Sequence, residues 1–251
     1  MNIKYALIFL TMTNILNLAA LPAQEKIKMY VFFTPSHEVF YKNWFLPSLK
    51  DNYEIIVEKH IQECSSGSFM ANGWMIAMLH KVDLIIRAIN ENWGKVFIHA
   101  DVDIQWFRPT EKTILNLMQQ NDFVIQQDSP LTYQNNRECC AGFFACRGNS
   151  KTLRLWQKIR ENMVKNPQTN DQIELNALIR YSNPFNITWD YLPVEFFSGG
   201  TLTGIHWKPG DSLPIPQAIY IHHGNWTSGV ENKIKQLEYV RNEVMKQSID
   251  K

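Results

Sequence analysis

The strand-like run Lys95-Val96-Phe97-Ile98-His99-Ala100 ends in Asp101-Val102-Asp103, and this junction constrains the chain more than any other stretch. Where a strand gives way to a loop, carboxylates at i and i+2 can both turn toward one hard cation, and that cation can grip a diphosphate. A solvated pair of loop aspartates carries the same letters. The elements on either side decide between the two.

Those elements alternate. Residues 27–34 have the β-branched and aromatic density of a buried strand and stop at Pro35-Ser36. Residues 38–49 suit a short helix despite Pro47, and 53–58 suit a second strand. Between Asn72 and Asn90 the apolar residues Met75, Ile76, Leu79, Val82, Ile85, Ile86 and Ile89 recur at helical spacing. Asn92-Trp93-Gly94 then stops that helix just before the aspartate-bearing strand. Farther on, the pattern predicts a helix over 109–120, a strand over 122–127 and a short apolar run at 140–146. A helix over 150–162 follows, with Ser150 as its cap and Leu153, Trp156, Ile159 and Met163 on one stripe, then a helix over 169–181. An extended stretch at 187–197, a Gly/Pro-rich loop at 198–216, a strand over 218–222 and an amphipathic helix over 231–248 close the chain.

This order predicts an α/β fold with a mainly parallel central sheet flanked by helices, whose ligands collect at the C-terminal ends of the strands. Asp101 and Asp103 lie at such an end. Residues 24–251 read as one domain without an internal linker or repeat. With 45% hydrophobic and 20% charged residues, a chain of this length can bury a proper core. A net charge of +1 gives no overall pull toward nucleic acid, which is therefore not an expected partner.

Residues 1–23 read as a signal peptide or short anchor, because Lys4 precedes a mostly apolar run at 6–20 and Ala23 offers a small residue before a cut. Thr11, Thr13, Asn14 and Asn17 make that run a poor bilayer span. The expected location is the secretory lumen or a membrane contacted through the N-terminus, with the cytoplasm as the alternative. The cysteines, Cys64, Cys139, Cys140 and Cys146, contain no CxxC pair, which argues against a zinc site and leaves a disulfide open.

Residues 97–107 resemble the DxD element of nucleotide-diphospho-sugar transferases with the GT-A, Rossmann-like fold. Three further blocks carry the resemblance in order. Cys140-Ala141-Gly142-Phe143-Phe144 is similar to an Ala-Gly-Phe core strand that lines the sugar and acceptor cleft, where Gly142 either lets substrate approach the backbone or marks a bulge. Asn170-Asp171-Gln172 resembles the helix start at which retaining members hold the donor sugar beside the reacting carbon. Ile221-His222-His223-Gly224-Asn225-Trp226, with Gly229 and Lys233 downstream, is similar to a late histidine element. Adjacent residues of a strand point to opposite faces, so one of the two histidines can ligate; the resemblance selects His223.

The resemblance implies a glycosyltransferase taking a nucleotide-diphospho-sugar as donor and a glycan, lipid or protein as acceptor. It implies Mn²⁺ or Mg²⁺ on Asp101, Asp103 and His223, with Lys233 neutralising diphosphate oxygens. Thr34 and Ser36 follow the first strand, where members of this fold contact the nucleotide, and Lys81 precedes the DxD strand. With the metal stabilising the leaving group, no protein acid is required, and Asp171 and Gln172 favour a retaining route. Two other classes fit parts of the pattern. A haloacid-dehalogenase-like phosphohydrolase also uses a strand followed by Asp-x-Asp, but such a motif opens its domain, whereas here it lies mid-chain. A secreted carbohydrate-binding module would suit the leader and the tryptophans and would leave the acidic pair, late histidine and lysine without a use.

Overall fold

Strand β1 (Lys28–Phe33) buries its last five residues in succession, which requires cover on both faces. Parallel partners flank it, β2 (Glu54–Lys59) on one side and β3 (Val96–Asp101) on the other. The six-stranded sheet continues through β6 (Cys139–Arg147), β5 (Phe123–Gln127) and β7 (Trp189–Tyr191). Only β6 runs against the rest, since it pairs antiparallel with both β3 and β5 while β5 and β7 are parallel. The expected mainly parallel α/β sheet is therefore present, with one reversed strand at its centre. The computed structural model describes residues 25–62, 64, 71–128, 138–199 and 206–249; the leader expected over 1–23 lies outside them.

Side-chain alternation sends the strands' residues into two cores. Tyr30, Phe97, Phe123 and Phe144 meet helices α1 (Trp74–Glu91) and α3 (Ser150–Lys165) through residues such as Ile85, Ile89, Trp156 and Ile159. Met29, Val31, Ile98, Val124 and Phe143 face the opposite way, toward Phe40, Phe45, Ile114 of helix α2 (Glu111–Met118), Phe196, Ile221 and Leu237. A second, three-stranded sheet sits on that side, ordered β4 (Ile104–Trp106), β9 (Ile221–His223), β8 (Phe196–Ser198). Among the described residues no helix is long and apolar enough to cross a membrane. No disulfide joins any of the four cysteines, all of which are buried.

Three boundaries differ from the sequence reading, each for a local reason. The helix expected over 38–49 is present from Glu38 to Ser48, entered through a 3₁₀ turn at Pro35–His37 and widened in its middle at Tyr41–Phe45. Pro47 has no N–H to donate, and just before it the Leu46 N–H reaches back five residues to the Tyr41 carbonyl. The cap of α3 is Asn149, not Ser150: its side chain accepts from the N–H groups of Lys151 and Thr152 at 2.9 and 3.0 Å, while Thr152 Oγ1 accepts from the Asn149 N–H at 3.2 Å. The strand expected over 218–222 begins only at Ile221, because Ala218 adopts φ 62° and cannot continue a strand.

Asn149 also donates to Asp122 Oδ1 at 2.8 Å, tying α3 to the strand entry at β5. Asn149→Ala is expected to lower unfolding stability by about 1 kcal/mol or somewhat more, read from urea titration. Ser150→Ala, outside the cap, is expected to change it by less than about half that.

Candidate active site

Two strand pairings bring the acidic junction and the late histidine together. In the β3–β6 ladder the last pair is Ala100 with Phe143, and one step farther Asp101 comes against Gly142. A Cβ at Gly142 would stand 2.7 Å from Asp101 Oδ2 and nearer still to the His223 ring. The glycine thus admits the site's own side chains, a use that neither alternative of the sequence reading, substrate approach or a bulge, had named. In the second sheet Ile104 pairs with His223, and the Gly224 N–H donates to the Asp103 carbonyl at 2.8 Å. His222 points away from this cluster, as the alternation demands: its Nδ1 meets Gln105 Nε2 at 3.1 Å, and its ring stacks on Phe197.

His223 Nε2 lies 3.3 Å from Asp103 Oδ1 and 3.9 Å from Asp101 Oδ2. One donor atom from each of Asp101, Asp103 and His223 falls within 4.8 Å of the others, a set able to hold a metal ion. Lys233, from helix α5 (Val230–Ile249), is ion-paired with Asp103 Oδ2. Burial alone would raise the Asp103 carboxyl, but the Lys233 ammonium beside it holds it well below the usual carboxylate range. Burial acts on Asp101 in the same sense, and there the Lys81 ammonium, with His99 and His223 beside it, lowers the carboxyl instead.

Lys81 is buried rather than solvated. Its Nζ lies 3.1 Å from Asp101 Oδ1 and 3.2 Å from Asp171 Oδ2, so one cation links the end of β3 to the start of α4 (Asp171–Asn176). Burial would lower its pKa, and the two carboxylates raise it above the ordinary lysine value. At the start of α4 the Asn170 side chain caps the helix by accepting from the Ile173 N–H at 2.9 Å. That cap fixes Asp171 in the first turn. Gln172, next along, accepts from the Ala141 N–H at 3.2 Å and so stands against β6.

All the predicted site residues except Ser36 line one cavity of about 610 Å³ at the C-terminal end of the sheet: Thr34, Lys81, Asp101, Asp103, Gly142, Asp171, Gln172, His223 and Lys233. Ser36 stands behind the wall. Its N–H donates to Gln62 Oε1 at 2.8 Å and its hydroxyl meets His37 Nδ1 at 2.8 Å, so it is His37 that reaches the cavity. Asp128 is a lining residue that the sequence reading missed. It is buried and accepts from Trp226 Nε1 at 2.9 Å and Asn225 Nδ2 at 3.0 Å; burial pushes its carboxyl up. The signal was available, since Asp128 follows the end of β5 just as Asp101 closes β3.

Solved structures of similar fold are glycosyltransferases. One is involved in the glycosylation of the major capsid of PBCV-1; at 11% identity it matches 85% of this chain and 100% of its own, with a TM-score of 0.55. The glycosyltransferase GlyE of Streptococcus pneumoniae TIGR4 has 12% identity and a TM-score of 0.52 over 89% of this chain and 64% of its own. Mouse xyloside xylosyltransferase 1 has 11% identity and a TM-score of 0.51 over 80% of this chain and 98% of its own. This chain thus spans slightly under two thirds of GlyE. No curated protein matches by sequence. The fold class is that of a GT-A glycosyltransferase. Within it, the chain belongs to the nucleotide-diphospho-sugar transferase family, whose family model matches residues 49–237.

Two substitutions probe the geometry. Lys81→Met leaves Asp101 and Asp171 without their shared cation and is expected to cost about 3–5 kcal/mol of stability at pH 7. The sign with pH follows from the lowered Asp101 carboxyl: its stabilisation is fully present above the unfolded value of about 3.9 and is lost as pH falls through the lower folded one. The gap between wild type and variant in denaturant titrations should therefore narrow on acidification below about pH 4. Gly142→Ala would set a Cβ against the His223 ring and Asp101 Oδ2 and is expected to lower stability by about 1–3 kcal/mol, read from urea titration.

Proposed function

We propose that the protein transfers a sugar from a nucleotide-diphospho-sugar to an acceptor hydroxyl with the help of a divalent cation, keeping the anomeric configuration of the donor. One observation carries the reading. Two carboxylates and an imidazole converge beside Lys233 at the C-terminal end of β3, where a cavity large enough for a nucleotide sugar opens.

The donor set fits the proposed ion. Hard carboxylate oxygens joined by one imidazole suit Mn²⁺ better than Mg²⁺, which prefers oxygen throughout. Asp101, Asp103 and His223 would hold it, and when bound it would offset the negative charge that builds on the departing diphosphate. Lys233 adds a second positive charge next to Asp103 and can turn to a phosphate oxygen once that carboxylate engages the cation. Thr34 and His37 line the cavity just beyond β1, within reach of the nucleotide.

Retention is supported by the groups around α4. The Asp171 carboxylate is tied up by the buried Lys81 ammonium, which makes it a poor free nucleophile and a good fixed support. Gln172, held against the Ala141 N–H, lines the cavity and would offer a neutral amide to the donor sugar on its leaving-group side. Asp128, steadied by Trp226 and Asn225, supplies a hydrogen-bond acceptor for sugar hydroxyls. The acceptor is taken to be a glycan, lipid or protein. If residues 1–23 act as a leader, the reaction belongs in the secretory lumen or at a membrane; otherwise it belongs in the cytoplasm.

Incubating the protein with a panel of nucleotide sugars and Mn²⁺ should release nucleoside diphosphate for at least one donor, and chelation should stop the release. Asp103→Ala and His223→Ala are each expected to lower turnover at least about a hundredfold. Unchanged metal-dependent turnover in Asp103→Ala would remove the cation reading. Gln172→Ala should lower kcat while sparing Mn²⁺ affinity. Proton NMR of the first product should show the donor's anomeric configuration; the opposite configuration would refute retention.

A further inference from the structure

We infer that Gln126 is a positioning residue that locks His223 in the Nδ1–H tautomer and so keeps the Nε2 lone pair turned toward Asp101 and Asp103. Nothing in the sequence drew attention to Gln126, the fourth residue of β5, and no side of it is exposed to solvent. It lies too deep to touch substrate.

A chain of hydrogen bonds reaches His223, and its direction is forced at one end. Gln126 Nε2 donates to the Phe196 carbonyl at 3.0 Å. That carbonyl can only accept, so the amide must present its NH₂ to β8 and its oxygen to the other side. A flipped amide would place two acceptors face to face inside the core, where water cannot separate them. The oxygen therefore faces His223, and Gln126 Oε1 lies 3.1 Å from His223 Nδ1. An amide oxygen needs a donor there, which makes Nδ1 the protonated nitrogen. In the neutral ring Nε2 then carries the lone pair.

Nε2 is the atom aimed at the acidic pair, 3.3 Å from Asp103 Oδ1 and 3.9 Å from Asp101 Oδ2. The other tautomer would point an N–H at the place where the proposed cation needs an electron pair. Cys140 Sγ also lies beside Nδ1, at 3.5 Å, but burial pushes that thiol well up, so it stays neutral and offers only a weak partner. Gln126 is the stronger acceptor and the one whose orientation is fixed by a third group. Ring orientation is held from the other side by Gly142, whose missing side chain leaves the space that the imidazole fills.

The tautomer assignment stands on the hydrogen bonds alone; its use in binding a cation rests on the function proposed above. The two are separable by experiment. In protein labelled with ¹⁵N at histidine and free of metal, the His223 Nδ1 resonance should be of the protonated, pyrrole type and not of the pyridine type. The reverse pattern would overturn the inference whether or not the protein binds metal.

Gln126→Met removes the acceptor at similar volume and should weaken Mn²⁺ binding, followed by electron paramagnetic resonance without donor sugar, by about tenfold or more. Gln126→Glu, which in its protonated form can reproduce both hydrogen bonds, should restore affinity to within about threefold of wild type while Gln126→Met does not. A purely structural role would not distinguish the two. Equal Mn²⁺ affinity in Gln126→Met and wild type would overturn the inference. Failure of the wild type to bind Mn²⁺ would instead overturn the cation reading and leave the tautomer to the nitrogen shifts.

Discussion

The carboxylates Asp101, Asp103, Asp128 and Asp171 converge on one end of a sheet, and three of them are almost wholly buried. Taking an uncompensated carboxylate out of water costs several kcal/mol, so the surrounding structure is organised around partners for them. Lys81 serves Asp101 and Asp171 together, Lys233 serves Asp103, and Asp128 is held by an indole and an amide N–H. Each partner comes from a different element: α1, α5, and the turn after β9. Neutralising the cluster therefore ties α1 and the last helix to the strands between them. The same arrangement leaves Asp101 and Asp103 deprotonated and facing a cavity, which is the state a divalent cation requires.

Proximity of that order depends on backbone pairing more than on side-chain chemistry. The reversed strand β6 inserts between β3 and β5 and sets Gly142 against the end of β3, and the short β4–β9 pair brings His223 alongside Asp103. Either ladder alone would deliver half of the site. Gly142 is where they meet, and any side chain there would contest the space of Asp101 and His223. The fold thus holds three potential ligands rigidly on strand ends, with β5 behind them providing the amide that orients the imidazole.

Much of this was legible in the chain. Helical spacing of Val82, Ile85 and Ile89 and the density of branched and aromatic residues at 28–33 and 96–100 are local signals, and the elements they predict are present. The ordered blocks around Asp101, Gly142, Asp171 and His223 do meet in one cavity. What stayed hidden depends on long-range placement. No local pattern says that residues 139–147 run antiparallel between two strands, or that Ile104–Trp106 pairs with a segment far downstream. Lys81 is a site candidate in the sequence by its place before the DxD strand, but only the docking of α1 shows that it turns inward onto two carboxylates. Ser36 and His37 exchange roles because the turn after β1 is tighter than a regular helix. Gln126 looks like any polar residue at a strand end; only its position between a carbonyl and an imidazole gives it a direction.

The proposed function requires that Asp101, Asp103 and His223 be ligands of a single divalent cation that also meets a nucleoside diphosphate. Crystals grown with Mn²⁺ and a nucleoside diphosphate, measured at a wavelength where manganese scatters anomalously, test it directly. One strong anomalous peak is expected, bonded to His223 Nε2 and to the Asp101 and Asp103 carboxylates, with diphosphate oxygens completing its shell and Lys233 turned toward them. A nucleotide bound in the cavity with no manganese between these three residues, or manganese bound elsewhere, would contradict it.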